Sequence, residues 1–168
     1  MKPVIILNGK PRSGKDTFAE CLNKIARVEK YSIVDKVKEI ATQCGWDGRK
    51  EERDRKFLCD IKIMTELYND MPFRSVIEKV KEFNEDDSKS VLLVDMREPR
   101  DIARAKRELG AYAILIDNDR VPEIKSNVAD GTINNFNYDY RIDNNGTLED
   151  LDKEVQRFWS YFINKFNS

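Results

Sequence analysis

The sequence predicts an α/β fold, a three-layer α/β/α arrangement around a central parallel sheet of about five strands. Three observations carry this. Apolar runs without polar alternation, at residues 4–7, 90–95 and 111–116, read as parallel strands covered on both faces. Segments of helical periodicity lie between them, so strand and helix alternate along the chain. The first apolar run passes straight into the loop Gly9-Lys10-Pro11-Arg12-Ser13-Gly14-Lys15-Asp16-Thr17, which opens an amphipathic helix. That is the strand-loop-helix context of a phosphate-binding P-loop.

Taken in order, the strand at 4–7 is followed by a helix over 15–28, on which Phe18, Leu22 and Ile25 recur at helical spacing. Residues 31–34 read as a short strand and 36–44 as a helix stopped before Gly45. The charged segment 49–69 places Phe57, Ile61, Met64 and Tyr68 on one stripe, which predicts a long amphipathic helix burying that stripe. Pro72 fits the first turn of a further helix with Val76, Val80 and Phe83 inward. The polar run 84–89 is a turn.

The strand at 90–95 ends in Asp95. Pro99 then opens a helix to Leu109, which Gly110 closes. Residues 111–116 form the next buried strand. From 117 to 137 periodicity is lost, and a stretch of ~20 such residues inside a domain is commonly a lid. Residues 138–142 read as a last short strand. A helix starting near Thr147 buries Leu148, Leu151, Val155, Phe158 and Phe162. Neither linker nor repeat interrupts the chain, so residues 1–168 are expected to form one domain with a lid-like loop at 117–137.

Composition narrows the function. Thirty basic residues stand against 31 acidic ones, a net charge of −1, so no global positive field exists to hold nucleic acid. No apolar run approaches the ~20 residues of a membrane span, and with the N-terminus passing straight into a strand neither a leader nor a setting other than the cytoplasm is expected. Cys21, Cys44 and Cys59 fall on predicted helices without metal-ligand spacing and are expected to be reduced, buried thiols. The absence of histidine removes Ser-His and Cys-His nucleophilic chemistry and most zinc enzymes.

What remains is phosphate chemistry. Gly9 and Gly14 let the backbone of the loop curl around a phosphate, with Arg12 and Ser13 between them. The dipole of the following helix adds attraction, and Lys15 can reach the β- and γ-phosphates. Most such loops place Ser or Thr after the lysine as a Mg²⁺ ligand. Here Asp16 stands there, a hard oxygen donor able to hold the ion directly or through a water. Asp95 ends its apolar strand as a Walker-B acid does, a second candidate for the metal. Arg97, Arg74 and Arg120 supply guanidinium forks suited to an anionic acceptor, Arg120 from the lid-like segment.

The Gly-Lys-x-x-Ser-Gly-Lys-Asp loop resembles that of the phage-type deoxynucleoside monophosphate kinases and of the animal-type phosphomevalonate kinases, both of the P-loop nucleoside monophosphate kinase-like fold. The likeness continues through Val34-Asp35-Lys36-Val37-Lys38, with Asp35-Lys36 where those families carry Gly-Pro. It extends to Asp95-Met96-Arg97-Glu98 and the helix running to Gly110 and Ala111. Lys125-Ser126-Asn127 and Asn144-Gly146-Thr147-Leu148-Glu149-Asp150-Leu151 are similar to the phage enzymes, and Asn135-Phe136 to Asp143 to the phosphomevalonate kinases. The segment 45–70 is much shorter than its phage counterpart.

This resemblance implies a P-loop kinase fold using ATP and Mg²⁺. Gly9, Arg12, Ser13, Gly14, Lys15, Asp16 and Thr17 would bind ATP, and Asp16 and Asp95 the metal. Lys15, Asp95, Arg97 and Arg120 would be catalytic, and Lys38, Arg74 and Arg97 would face the acceptor. The expected reaction is transfer of the γ-phosphoryl group to a small phosphorylated acceptor, in first place a (deoxy)nucleoside 5′-monophosphate. A phosphomevalonate-type or other phosphate ester, a nonspecific NTPase and a non-catalytic nucleotide-binding module are the alternatives. The sequence leaves the oligomeric state open, a homodimer included.

Overall fold

The computed structural model of the chain describes residues 1–122 and 136–166. Its elements run β1 (Val4–Asn8), α1 (Lys15–Asn23), β2 (Val28–Ser32), α2 (Asp35–Gln43), α3 (Glu52–Asn69), α4 (Met71–Glu85), β3 (Val91–Asp95), α5 (Pro99–Leu109), β4 (Tyr112–Asp117), β5 (Tyr140–Asp143) and α6 (Leu148–Phe166). The five strands form one sheet in the order β2-β3-β1-β4-β5, every neighbouring pair parallel. This is the expected α/β architecture.

Strand alternation divides the core in two. Val4 and Ile6 of β1 face one layer, where Phe73, Val76, Val80 and Phe83 of α4 meet Ile102 and Ala105 of α5. Ile5 and Leu7 face the other, against Phe18 and Leu22 of α1 and Leu151, Val155, Phe158 and Phe162 of α6. The central strands are apolar on both sides because both sides are covered. Gly110, at φ 61°, caps α5 in the left-handed conformation as expected. Among the described residues, no helix is long and apolar enough to cross a membrane.

Several expectations are corrected. The second strand lies at Val28–Ser32, earlier than the expected 31–34, because an edge strand needs only partial burial and tolerates Glu29 and Lys30. Helix α1 therefore ends at Asn23, and Ile25 sits beyond it, 44% exposed rather than inward. Leu148 likewise stands at the exposed start of α6. In α3 the periodicity is right but the phase is wrong. Met64 and Tyr68 are 70% and 86% exposed, while the half-buried side carries Leu58, Ile61, Lys62, Thr65 and Glu66. That side meets α5 through charge rather than apolar packing: Lys62 pairs with Glu98 and lies 3.7 Å from Asp101, and Glu66 pairs with Arg100. Of the three thiols only Cys21 is buried; Cys44 and Cys59 are exposed. Most of the lid-like segment, residues 123–135, lies outside the described residues, as do Lys125, Ser126, Asn127 and Asn135.

Candidate active site

The carboxyl ends of all five strands lie on one edge of a parallel sheet, and the loop after β1 sits there. Its shape depends on its glycines. Gly9 has φ 151°, and a Cβ there would stand 2.5 Å from Ser13 Oγ and 2.7 Å from the Ile116 carbonyl oxygen. Gly14, at φ 100°, caps α1, and a Cβ on it would collide with Asn144 Nδ2. Arg12 turns the loop with φ 66°, an uncommon conformation for a residue with a side chain. Ser13 N–H donates to the Lys10 carbonyl at 3.0 Å, closing the turn. Helix α1 then begins at Lys15, so the N–H groups of Lys15, Asp16 and Thr17 have no intrahelical acceptor. The Lys15 ammonium bends back to donate to the carbonyls of Gly9 at 2.9 Å and Lys10 at 3.1 Å, spanning the loop. The buried Ser13 Oγ has no hydrogen-bond partner among the described residues.

Two carboxylates and two ammonium groups meet beside this loop. Asp16 Oδ1 accepts a hydrogen bond from Lys30 Nζ of β2. The Lys30 ammonium holds the Asp16 carboxyl below its ordinary value. Burial disfavours the Lys30 charge, yet the Asp16 hydrogen bond and attraction outweigh it and leave that ammonium above its usual range. Asp95 closes β3 in register with Leu7 of β1 and Ser32 of β2. Burial pushes its carboxyl upward, against the pull of Lys15 and Lys30. Its buried Oδ1 has no hydrogen-bond partner among the described residues.

Such an orphaned oxygen asks for a ligand. A Mg²⁺ ion, or water bound to one, fits it: Mg²⁺ is held by one or two carboxylates with the rest of its shell from water and phosphate. Among the described residues, no cluster of three or more carboxylate, thiol or imidazole side chains exists to hold a metal by protein alone. The donor set therefore suits an ion that takes most of its ligands from outside these side chains.

Two side chains that sequence reading missed brace the loop. Asn8, fully buried, accepts from the Gly9 N–H at 2.8 Å. Its Nδ2 donates to the Arg97 carbonyl at 3.2 Å and to the Tyr138 hydroxyl at 2.7 Å. One amide thus fixes the P-loop, the Asp95-Met96-Arg97 segment and the chain entering β5. On the other flank Asn144 Nδ2 donates to the Ser13 carbonyl at 2.8 Å, and Arg120 Nη2 donates to the Asn144 carbonyl at 2.9 Å.

Asn8→Ala is expected to cost about 1–3 kcal/mol of stability, since it leaves the buried Gly9 N–H without the acceptor that serves it. Urea unfolding of the variant measures this. A loss below about 0.5 kcal/mol would mean that the brace is not structural.

The remaining expected residues fall as follows. Arg97 is exposed just past Asp95. Arg74 is exposed on the first turn of α4. Lys38 of α2 bonds Asp35 at 3.0 Å, and Asp35 in turn accepts from the Ser32 N–H at the end of β2. Lys15, Asp16 and Asp95 come together electrostatically, and Ser13 and Arg120 are linked through Asn144. No hydrogen bond or ion pair joins Lys38 or Arg74 to the loop among the described residues. Lys30 had a signal in the sequence, since a charged strand such as Glu29-Lys30 marks a sheet edge. Asn8 had one too, as the polar residue closing an apolar run before Gly9.

No protein-family model matches the sequence, and no curated protein matches it. Among solved structures, the chain is similar to the dephospho-CoA kinase from Campylobacter jejuni, with a TM-score of 0.52 at 14% identity over 95% of this chain and 97% of that one. It is also similar to a sugar kinase from a Janibacter species, with a TM-score of 0.55 at 13% identity over 95% of each chain. At these identities the likeness establishes the fold alone, an α/β fold around a five-stranded parallel sheet.

Proposed function

We propose that the chain is an ATP-dependent phosphotransferase that transfers the γ-phosphoryl group to a small phosphorylated acceptor, a (deoxy)nucleoside 5′-monophosphate in first place. The observation that carries this reading is the glycine-shaped loop spanned by Lys15, with the unpartnered Asp95 Oδ1 on the same sheet edge. The neighbours that share the fold are named as kinases, which supports phosphoryl transfer over plain nucleotide binding.

Backbone N–H groups of the loop and the start of α1 would hold the β-phosphate, and Lys15 would swing from the Gly9 and Lys10 carbonyls to the β- and γ-oxygens. Asp16 and Asp95 would hold Mg²⁺ directly or through water, and the bound ion would neutralise charge on the phosphate oxygens. Arg97, exposed beyond Asp95, would orient the acceptor phosphate, with Lys38 and Arg74 as further cations and Arg120 closing from the β4 side. A phosphate monoester has its second ionisation near pH 6, so its attacking oxygen is already bare at neutral pH. No general base is needed, in keeping with a chain that has no histidine. A nucleotide substrate and unpaired cysteines fit a cytoplasmic setting.

The test is to incubate the protein with ATP and Mg²⁺ and, in turn, each ribo- and deoxyribonucleoside monophosphate, measuring ADP. Release that depends on a monophosphate is expected. Release without acceptor would mean a nonspecific NTPase. ATP binding without turnover for any phosphate ester would mean a regulatory module.

A further inference from the structure

Lys30 enters this site from neither the loop nor the segment after β3. It stands on β2, in register with Leu93 and two residues before Ser32, which pairs with Asp95. Its ammonium bonds Asp16 Oδ1, occupying an oxygen of the residue that takes the place of the usual P-loop hydroxyl. It also lies within electrostatic reach of Asp95 and Glu20, while Lys15 and Lys50 face Asp16 from the loop and from the segment before α3. Lys15 and Lys30 therefore balance Asp16 and Asp95 in charge. The pair is open to water, with side chains 39% and 87% exposed, so it is weak enough to exchange.

We propose that Lys30 is a resident counter-cation that holds the metal position on Asp16 and yields it more readily to a divalent ion carried in with the nucleotide than to the ion alone. The inference rests on the Mg·ATP reading of the site. A divalent cation alone would have to displace Lys30 and remain beside its charge. A metal-nucleotide complex brings phosphate charge that the freed ammonium can face. Lys30 so suppresses metal loading of the empty site and makes metal and nucleotide arrive together. Removing its charge opens Asp16 and leaves the site one unit more negative.

The measurement is Mn²⁺ binding in the absence of nucleotide, read from the electron paramagnetic resonance of the free ion. Lys30→Met is expected to bind Mn²⁺ roughly tenfold more tightly than the parent, the effect of one charge about 5 Å from a divalent ion in watery surroundings. Lys30→Arg, which keeps the charge, is expected to stay near the parent. Adding Asp16→Asn to Lys30→Met is expected to abolish the gain. An unchanged or weaker Mn²⁺ affinity in folded Lys30→Met would overturn the proposal, as would a gain that survives Asp16→Asn. Calorimetric titration of the parent protein with Mg·ADP stands apart. Its failure would remove the nucleotide reading, while the Mn²⁺ series alone decides the role of Lys30.

Discussion

Lys15→Ala is expected to lower turnover at least ~100-fold while leaving the melting temperature close to that of the parent. A positive group preorganised at the transferring phosphate is worth about 3–4 kcal/mol in the transition state, which is a factor of ~100 or more. The structural role of the same side chain is smaller. Two of its contacts are hydrogen bonds to the Gly9 and Lys10 carbonyls at the half-open mouth of the loop. Water can take the place of the ammonium there, so the loss to stability is about 1 kcal/mol or less. Alanine suits the first turn of α1 at least as well as lysine does. ADP release under saturating ATP and acceptor, beside a thermal melt, separates the two effects. Unchanged turnover in a folded variant would take the loop out of the mechanism. A collapse of the melt would make Lys15 a structural residue first.

How much of this could be read from the chain depends on how far apart the interacting residues lie. Strands β1, β3 and β4 were legible because burial on both faces leaves an unbroken apolar run. Helix α5 was legible because Pro99 and Gly110 mark its ends locally. The edge strand β2 lies ahead of the 31–34 that hydropathy predicts because its coverage is partial, and the apolar Ile33 and Val34 lie beyond its last residue. Helix α3 shows periodicity without phase. Its exposed stripe is more apolar than its inner side, where Lys62 and Glu66 meet partners on α5 that sequence spacing does not reveal.

The candidate site divides in the same way. The loop from Gly9 to Thr17 and the strand-ending Asp95 are contiguous signals, and the structure puts Asp95 within electrostatic reach of Lys15 and Asp16. The braces are not contiguous. Asn8 and Tyr138 are 130 residues apart in the chain, and Asn144 and Ser13 are 131 apart. Lys30 and Asp16 are only 14 apart but sit on different elements, so nothing in the spacing brings them together. Pairings of this kind follow from strand order, which the alternation of strands and helices leaves undetermined.

Asp95→Asn is expected to act in opposite directions on catalysis and on stability. Turnover should fall ~100-fold, because a neutral amide cannot offer the carboxylate charge that a Mg²⁺ ion or its water would meet beyond β3. Stability of the metal-free protein should rise at neutral pH. Burial raises the folded Asp95 carboxyl above its ordinary value even against Lys15 and Lys30, so its ionised form is disfavoured in the fold. Such a group costs stability above its folded pKa, and the cost is relieved as pH falls through that pKa towards the ordinary carboxylate range. The amide never ionises, and a buried neutral group lacking a partner costs less than a buried charge. The advantage of the asparagine variant should therefore be full near pH 7 and shrink on acidification, as the parent's Asp95 becomes neutral as well. Thermal melts of both proteins in a metal chelator, from about pH 7 to about pH 4, would show the two curves converging. A variant less stable than the parent at pH 7 would mean that the Asp95 carboxylate is held by its neighbours rather than strained by burial. Undiminished turnover would remove it from the metal site.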